Sequence, residues 1–275
     1  MSPLAQLLTE QRNPRTLDID RLPTLGALER MHEEDRLAVD SVAPELPRIA
    51  AAVDAIAERL RAGGRLLYIG AGTSGRLGVL DASECPPTFS VSYELVQGIM
   101  AGGYQALYQA TESSEDSLTA GVTDIEARHI TAQDVLVGIA ASGRTPYVLG
   151  AIAHAKSLGA LTVGISCTEN SQLSQAVDLP IEPKPGPEVI TGSTRLKAGT
   201  VTKLVLNMLS TMAMVRLGYV YSNLMVNVKP SNEKLVDRAR RIISQAANVS
   251  EARAAELLTR ANGQVREAIR LAGEK

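Results

Sequence analysis

The chain has 275 residues, which is enough for one large domain of about 200 residues together with a small appendage. Its composition is 45% hydrophobic and 21% charged, as in soluble globular proteins. The formal net charge of -2 gives no electrostatic reason to expect nucleic acid or an anionic membrane as a partner. We therefore expect the partner to be a small molecule or another protein.

Residues 1–45 are predicted to form an N-terminal helical extension, after which strand and helix patterns alternate. Short apolar runs of the kind buried in a parallel sheet predict five strands, the last of them weakly: Leu66–Gly70, Leu95–Met100, Val135–Ala141, Leu161–Ser166 and Val177–Ile181. Helical patterns surround these runs: Ala50–Leu60, Asp116–Arg128 and Pro146–Leu158. This alternation predicts an α/β fold, with a three-layer, doubly wound parallel sheet in residues 46–228.

The remaining third of the chain is mostly helical in pattern. Glu182–Glu188 is rich in proline and predicts a loop, and Thr194–Leu217 is a long apolar helix. A helix that is apolar on more than one side is buried, either across the sheet or in a subunit interface. Residues 229–275 predict a three-helix appendage, with breaks at Asn248–Val249 and Asn262–Gly263, which we expect to bury little core by itself.

The sequence favours a cytoplasmic location. Its first residues lack a basic region followed by an apolar core, and no run of about 18 uncharged apolar residues occurs, so we expect neither secretion nor membrane insertion. The two cysteines, Cys85 and Cys167, lie far apart, which argues against a disulfide framework and fits a reducing compartment. Neither cysteine is expected to be a nucleophile. The three histidines have no ligand spacing, so no metal is expected.

The segment Gly70–Gly75 places glycines and hydroxyls between a strand and a helix. Its glycines allow a sharp turn toward an anion at the helix N-terminus, and Thr73 and Ser74 add side-chain donors. The segment also fits the dinucleotide pattern G-x-G-x-x-G. However, the second strand leads into Ala101–Gly103 without the carboxylate that binds a ribose, which argues against NAD.

Two further segments combine glycine with hydroxyls before a helix. Ser142–Thr145, which includes Gly143, follows the third strand, and two such loops at the carboxyl edge of one sheet could hold a single phosphate. The alternative is that Ser142 and Thr145 only cap a helix. Ser193 lies in a third segment before the long helix, whose first turn carries cations that an anion would stabilise. Simple N-capping by Ser193 is the alternative there.

Carboxylates occur near these loops in sequence. Glu84 is predicted to end the helix that the first loop opens, about ten residues after Ser74, and could lie near the ligand of that loop. Glu112, Glu115 and Asp116 form an acidic cluster at a predicted helix start. Because the helix dipole favours carboxylates at such a start, a structural role is the more common explanation.

Several segments resemble the N-acetylmuramic acid 6-phosphate etherases, which are members of the sugar isomerase (SIS) superfamily. They are GAGTSGRLGVLDASECPP, ESSEDS, GIAASGRTPYV, TGSTRLKAGT, KLVLNMLST and SNEKL, and the resemblance extends from about Leu17 to the C-terminus. A more distant relative is the animal glucokinase regulatory protein, which is a binding protein. The resemblance implies an SIS-type sheet with a UBA-like helical appendage.

The resemblance also implies a reaction. It is cleavage of the D-lactyl ether at C3 of N-acetylmuramic acid 6-phosphate, which yields N-acetylglucosamine 6-phosphate and D-lactate without a metal or a redox cofactor. The two catalytic glutamates of the family match Glu84 and Glu115, and its sugar-phosphate loops match Thr73 with Ser74 and Ser142 with Thr145. We expect Glu84 to protonate the leaving oxygen and Glu115 to remove the C2 proton, although the reverse assignment stays open.

Other functions remain to be distinguished. A non-catalytic sugar-phosphate-binding regulator is the main alternative, followed by a sugar phosphate isomerase and an NAD-dependent oxidoreductase. We also expect a homodimer, because SIS domains commonly pair near their sites and the long apolar helix offers a surface. A residue of the neighbouring subunit could complete the pocket.

Overall fold

The computed structural model describes residues 8–109, 114–227 and 233–273. Five parallel strands form its central sheet: β1 (Leu66–Gly70), β2 (Val96–Met100), β3 (Val135–Ile139), β4 (Leu161–Ile165) and β5 (Leu179–Ile181). Their order across the sheet is β2-β1-β3-β4-β5. Every strand predicted from the sequence is present, and the weakly predicted β5 is the shortest.

Helices cover both faces of the sheet. In chain order they are α1 (Thr24–Asp40), α2 (Leu46–Arg61), α3 (Gly72–Phe89), α4 (Leu118–Glu126), α5 (Pro146–Ser157), α6 (Gln172–Ala176) and α7 (Lys197–Arg216). Helices α2, α3 and α7 share one apolar core with the sheet, and α4, α5 and α6 share a second core on its other face. The predicted three-layer, doubly wound architecture is therefore confirmed.

The strands are buried apolar segments, which is why they pair in parallel between two helical layers. All five residues of β1 and all five of β3 are buried. Gly70 at the end of β1 pairs with Ile139 of β3 and with Met100 of β2, so these three strands end at the same edge of the sheet. The loops after β1, β2 and β3 therefore begin side by side at this edge of the sheet.

The connections from β1 and β3 diverge. After β1 the chain crosses to β2 on one side through α3, whereas after β3 it crosses to β4 on the other side through α5. Because α3 and α5 pack on opposite faces, a crevice opens between the ends of β1 and β3. Open α/β sheets bind ligands at such a topological switch point.

Helix α7 is long and apolar enough to cross a bilayer by length and composition. It nevertheless packs against α1, α2 and α3, and 56% of its most apolar window is buried within the fold. Burial across the sheet, one of the two locations predicted for this helix, accounts for its apolar character.

Helix α3 is longer than predicted. It continues past Glu84 through Pro86 and Pro87 to Phe89, and the residue that follows it, Ser90, has a φ of +52°. The expectation that Glu84 ends this helix is therefore wrong. Prolines remove backbone donors that would bond one turn earlier, and near the end of a helix this loss is tolerated more easily than in its middle.

The C-terminal residues form a small β-hairpin and three helices. These are β6 (Val220–Tyr221), β7 (Leu224–Met225), α8 (Glu233–Ala247), α9 (Glu251–Arg260) and α10 (Val265–Gly273). The helices break at the predicted positions, where Asn248, Asn262 and Gly263 have positive φ. They enclose a separate apolar cluster that includes Ile243 and Leu257, both fully buried, so the appendage has more core than the sequence led us to expect.

Candidate active site

The first hydroxyl loop connects β1 to α3 at the crevice. A Cβ on Gly70 would lie 2.7 Å from the amide nitrogen of Gly75. The end of β1 and the first turn of α3 can therefore come this close only because residue 70 is a glycine. Gly72 has a φ of +54°, in the left-handed region that favours glycine. The predicted sharp turn is therefore confirmed, and it aims the start of α3 at the crevice.

The donors at the start of α3 are available to a ligand. Helix α3 follows Ala71, and no side chain caps its first amides. Thr73 and Ser74 are half-buried, and neither hydroxyl has a hydrogen bond to any residue that the structure describes. Backbone N–H groups and hydroxyls at a helix N-terminus form a ready site for an anion.

The second hydroxyl loop is held rigidly beside the first. Gly143 has a φ of +66°, and a Cβ there would overlap the side chain of Ser171. The carbonyl of Gly143 accepts a bond from the Leu173 N–H at 2.9 Å, which ties the loop to α6. Thr145 precedes α5 without a side-chain capping bond, and the Ser142 hydroxyl is also unbonded among the described residues. The capping alternative for these two residues is therefore not observed.

The third hydroxyl segment lies against the first loop. A Cβ on Gly199, in the first turn of α7, would be 3.5 Å from Cγ2 of Thr73. Ser193 is half-buried and does not cap α7, because its hydroxyl makes no hydrogen bond within the described ranges. The start of α7 thus borders the same crevice as the two predicted phosphate loops.

The anion at the start of α7 is supplied by the protein itself. The Glu188 carboxylate accepts bonds from the N–H groups of Lys197 and Ala198, at 2.8 and 3.0 Å. Burial raises the pKa of Glu188, although the two amides and Lys197 oppose that rise. A bound ligand is therefore not needed at these two amides, and it need not contact Lys197.

Lys197 itself is buried in an ion pair with the N-terminal extension. Its Nζ lies 2.6 Å from Glu34 Oε2, and Glu34 also accepts a bond from Asn13 at 2.8 Å and contacts Arg15 at 2.6 Å. Burial alone would raise the pKa of Glu34, but the bonds from Lys197 and Asn13 and the nearby positive charges lower it overall. The extension thereby fixes the turn that carries Ser193.

Glu115 lies beside the second loop. Its backbone carbonyl accepts a hydrogen bond from the N–H of Tyr147, at 3.0 Å, two residues after Thr145. Helices α4 and α5 pack closely because Gly121 and Gly150 each touch the backbone of the other helix. The Glu115 side chain is exposed, so a ligand in the crevice could reach it. Glu112 falls outside the described residues.

Glu84 lies far from the first loop within the same protomer. Ten residues of α3 separate it from Ser74, which corresponds to about 15 Å along the helix axis. Its neighbour Ser83 lines a cleft with Glu94 and Val96, where β2 begins at the amino edge of the sheet. Within one protomer, the continuous helix α3 therefore carries Glu84 away from the first loop and toward the opposite edge of the sheet.

A buried carboxylate that the sequence analysis did not single out fixes the rotation of α3. Asp81 accepts bonds from the hydroxyl of Tyr68 at 2.9 Å, from Asn207 at 2.7 Å and from Ser210 at 3.1 Å. Burial raises its pKa, and these three donors oppose the rise. In the sequence, a charged residue within the apolar pattern of α3 is the feature that could have indicated this buried hydrogen-bond cluster. Asp81 connects α3 to β1 and α7 and so sets where Glu84 emerges.

The cysteines play no evident chemical part. Cys85 and Cys167 are both free and buried, and burial raises the pKa of each thiol to about 12. A thiol is a nucleophile in its thiolate form, so neither is activated. Within ranges 8–109, 114–227 and 233–273, no group of His, Cys, Asp and Glu side chains suits a metal ion.

Comparison with protein families identifies three matching parts. Residues 48–156 match the family described as "Glucokinase regulatory protein N-terminal SIS domain", and residues 118–214 match "SIS domain". Residues 222–270 match "C-terminal lid domain of glucokinase regulatory protein". The predicted SIS-type sheet is therefore confirmed, and the C-terminal helices fall within the third match.

Three relatives that align with nearly the whole chain share one name. Proteins named N-acetylmuramic acid 6-phosphate etherase from Clostridium beijerinckii and Photorhabdus laumondii are each 53% identical over 266 residues. The alignments cover 97% of this chain and 88% of each relative. The etherase of Yersinia pestis strain Pestoides F is also 53% identical, with 90% of its length covered.

Solved structures extend the comparison to the fold. The phosphoheptose isomerase of Francisella tularensis has a TM-score of 0.54 at 19% identity, covering 70% of this chain and 100% of that one. The phosphoheptose isomerase of Neisseria gonorrhoeae has a TM-score of 0.51 at 16% identity, with 70% and 98% covered. At such identities the likeness concerns the fold alone.

Proposed function

The chain belongs to the N-acetylmuramic acid 6-phosphate etherases, and from this premise we propose that it cleaves the D-lactyl ether at C3 of N-acetylmuramic acid 6-phosphate. The products are N-acetylglucosamine 6-phosphate and D-lactate, and the reaction serves the recycling of cell-wall amino sugars. The observation that carries the proposal is the 53% identity to etherases along 97% of the chain. Two loops of unbonded hydroxyls at one sheet edge agree with it.

We assign the phosphate group to the crevice between β1 and β3. Thr73 and Ser74 at the start of α3, and Ser142 and Thr145 before α5, offer hydroxyl donors, and Gly143 holds its loop in place. The N-terminus of α3 supplies backbone N–H groups, and α3 and α5 both direct the positive ends of their dipoles to the same place. Helix α5 adds no amide there, because Pro146 has no N–H and the Tyr147 N–H is bonded to Glu115. Ser193, which borders the first loop through the start of α7, is assigned to the sugar portion of the substrate.

The chemistry requires two carboxyl groups in opposite protonation states. Opening the sugar to its aldehyde form acidifies the C2 proton, so a carboxylate can remove it. As that proton leaves, the bond from C3 to the ether oxygen breaks, and a carboxylic acid protonates the departing lactate oxygen. Water then adds at C3 of the resulting double bond and a proton returns to C2. Elimination and hydration cause no net oxidation or reduction, so the reaction needs no redox cofactor.

We assign these two roles to Glu84 and Glu115. The position of Glu115 supports this assignment, because its backbone carbonyl accepts a bond from Tyr147, two residues after Thr145, and its side chain is exposed. We place Glu115 as the base at C2 and Glu84 as the acid at the lactate oxygen. The reverse assignment would give the same products.

The regulatory alternative is supported only by the descriptions of two matched domain families. The descriptions of both families name the glucokinase regulatory protein, but each family covers only part of the chain. The three relatives compared along nearly its whole length are named as etherases. The etherase proposal is therefore preferred.

We further propose a cytoplasmic homodimer. Both cysteines are free thiols, which fits a reducing compartment. Leu80 of α3 and Met212 of α7 are large apolar side chains that remain 50% and 44% exposed, and the predicted pairing surface on α7 includes Met212. A second copy would cover such side chains.

The test is direct. Purified protein is incubated with N-acetylmuramic acid 6-phosphate, and both D-lactate and N-acetylglucosamine 6-phosphate are quantified. We expect the two products in equal amounts. Folded protein that releases neither would refute the etherase proposal. If the same protein were stabilised against melting by the sugar phosphate, the regulatory alternative would be favoured instead.

A further inference from the structure

The substrate of the proposed function carries two anionic groups, whereas its sugar product carries one. N-acetylmuramic acid 6-phosphate has a phosphate at C6 and a carboxylate on the lactyl group at C3, and N-acetylglucosamine 6-phosphate keeps only the phosphate. The hydroxyl loops after β1 and β3 offer neutral donors to the phosphate, which both sugars share. Recognition of the lactyl group by its charge therefore requires a cation at a second position.

Four cationic residues occur in the three hydroxyl segments, which are residues 70–75, 142–145 and 191–194, and in the helical turns that follow them: Arg76, Arg144, Arg195 and Lys197. Two of them are bound within the protein. The Arg76 guanidinium donates to two backbone carbonyls, at 2.7 and 3.0 Å, and Lys197 is buried in its ion pair with Glu34. The guanidinium groups of Arg144 and Arg195 have no hydrogen bond or ion pair to any residue that the structure describes, so these two are available to a ligand.

Arg195 borders the crevice from the side of α7. The N–H of Gly199 donates to the carbonyl of Thr194, the residue before Arg195, at 2.9 Å. A Cβ on Gly199 would lie 3.5 Å from Cγ2 of Thr73, in the first hydroxyl loop. The turn that carries Arg195 therefore packs on the loop assigned to the phosphate, and the Arg195 side chain is exposed.

The reach of Arg195 is sufficient for the lactyl end of the substrate. Eight covalent bonds separate phosphorus from the lactyl carboxyl carbon, a span of at most about 10 Å at ordinary bond lengths. An extended arginine side chain carries its terminal nitrogens about 7 Å from its own Cα. Arg144, in contrast, lies between Gly143 and Thr145 within the second hydroxyl loop, beside the phosphate itself.

Resting on the proposed function, we propose that Arg195 binds the carboxylate of the lactyl group and thereby distinguishes the ether substrate from its amino sugar product. A guanidinium presents two parallel N–H groups to a carboxylate, so it fixes the orientation of that group as well as its charge. Glu188 occupies the amides of Lys197 and Ala198 but leaves Arg195 unpaired among the described residues. With the phosphate and the carboxylate both held, the ether bond that breaks is oriented from its two sides.

Comparing the binding of the two sugars tests the proposal. Arg195→Met is combined with Glu115→Gln, so that bound substrate is not consumed, and each Kd is measured by calorimetry against Glu115→Gln alone. We expect Arg195→Met to weaken N-acetylmuramic acid 6-phosphate by at least about tenfold and N-acetylglucosamine 6-phosphate by less than about twofold. Weakening of both sugars alike, or of neither, would overturn the proposal.

A change in the ligand provides a second measurement. A substrate analogue whose lactyl carboxylate is replaced by a carboxamide keeps the shape of the group and removes its charge. With Arg195 present, the analogue should bind at least about tenfold more weakly than the acid, and with Arg195→Met the two should bind alike. A preference for the acid that persists in Arg195→Met would assign the carboxylate to another cation and overturn the proposal.

Matched controls keep the outcomes distinct. Arg36, an exposed arginine of α1 outside the hydroxyl segments, provides the charge control, and Arg36→Met should leave both Kd values unchanged. Arg144→Met should weaken both sugars alike, because both carry the phosphate; a loss confined to N-acetylmuramic acid 6-phosphate in this variant, with none in Arg195→Met, would overturn the assignment. Wild-type protein that releases no D-lactate would refute the proposed function. Wild-type D-lactate release together with equal Kd changes for the two sugars in Arg195→Met would refute only the role of Arg195.

Discussion

Replacing Lys197 by methionine tests how the N-terminal extension is fixed to the core. Lys197 Nζ is 2.6 Å from Glu34, and Lys197 is 2% and Glu34 1% exposed. Removing one partner of a buried pair leaves an uncompensated charge and typically costs about 3–5 kcal/mol. Because Arg15 also contacts Glu34 at 2.6 Å, we expect a loss of about 3 kcal/mol for Lys197→Met, near the lower limit.

This loss is measurable by thermal unfolding. For a chain of this size, 1 kcal/mol shifts the Tm by about 2–4 °C, so Lys197→Met should melt roughly 6–12 °C below the wild-type protein, as followed by circular dichroism. Lys203, an exposed lysine of the same helix, provides the control, and Lys203→Met should stay within about 0.5 kcal/mol of wild type. Adding Glu34→Gln to Lys197→Met should recover part of the loss. A Lys197→Met protein that melts with the wild type would refute the reasoning.

Further predictions concern the site, the interface and acid stability. Ser74→Ala should raise KM about tenfold by removing one donor to phosphate, and an unchanged KM would exclude Ser74 from the phosphate site. Glu115→Gln should lower kcat by about 10²-fold or more while KM changes little; a weakened substrate Kd with unchanged kcat would indicate a binding role. Leu80→Asp should shift the dimer toward monomer in size-exclusion chromatography and reduce D-lactate release with it, and an active dimer would contradict the assigned interface. The fold lowers the pKa of Glu34 from its usual 4.5, so the stability contributed by the ionised carboxylate is present above pH 4.5 and is lost as the pH falls through the folded pKa. The Tm difference between wild type and Lys197→Met should therefore narrow in acid. A Tm difference that stays constant with pH would contradict the ion pair.

The sheet was predictable because its signals are local. Each strand is a short apolar run bounded by turn residues, and runs such as β1 are buried along their whole length. The loops that contain Ser74 and Ser142 were predictable for a related reason. Parallel strands that alternate with helices end at one edge, so hydroxyls that follow two neighbouring strands meet there.

The location of Glu84 was not predictable by counting residues. Ten residues in a loop can fold back on their start, but ten residues in a straight helix cannot, and α3 continues as a helix through Pro86 and Pro87. Pro86 and Pro87 lie within the last turns of α3, where lost backbone donors cost least. The position of Glu84 was thus misjudged because α3 is longer than predicted, although β1, which precedes it, was predicted correctly.

The charge network at the start of α7 was hidden for a different reason. Lys197 pairs with Glu34, which is 163 residues earlier, and its neighbouring amides bond to Glu188. No local pattern connects residues that distant, so the cations of this turn suggested an external anion. Only the packing of α1 on α7 shows that the protein itself neutralises Lys197.

The isotope content of the products tests the central claim most directly. The reaction is run in water enriched in oxygen-18, and both products are analysed by mass spectrometry. Elimination followed by hydration breaks the bond between C3 and the ether oxygen, so the label should enter the C3 hydroxyl of N-acetylglucosamine 6-phosphate and be absent from D-lactate. Label in D-lactate instead would mean that water attacks the lactyl carbon, which would contradict the account.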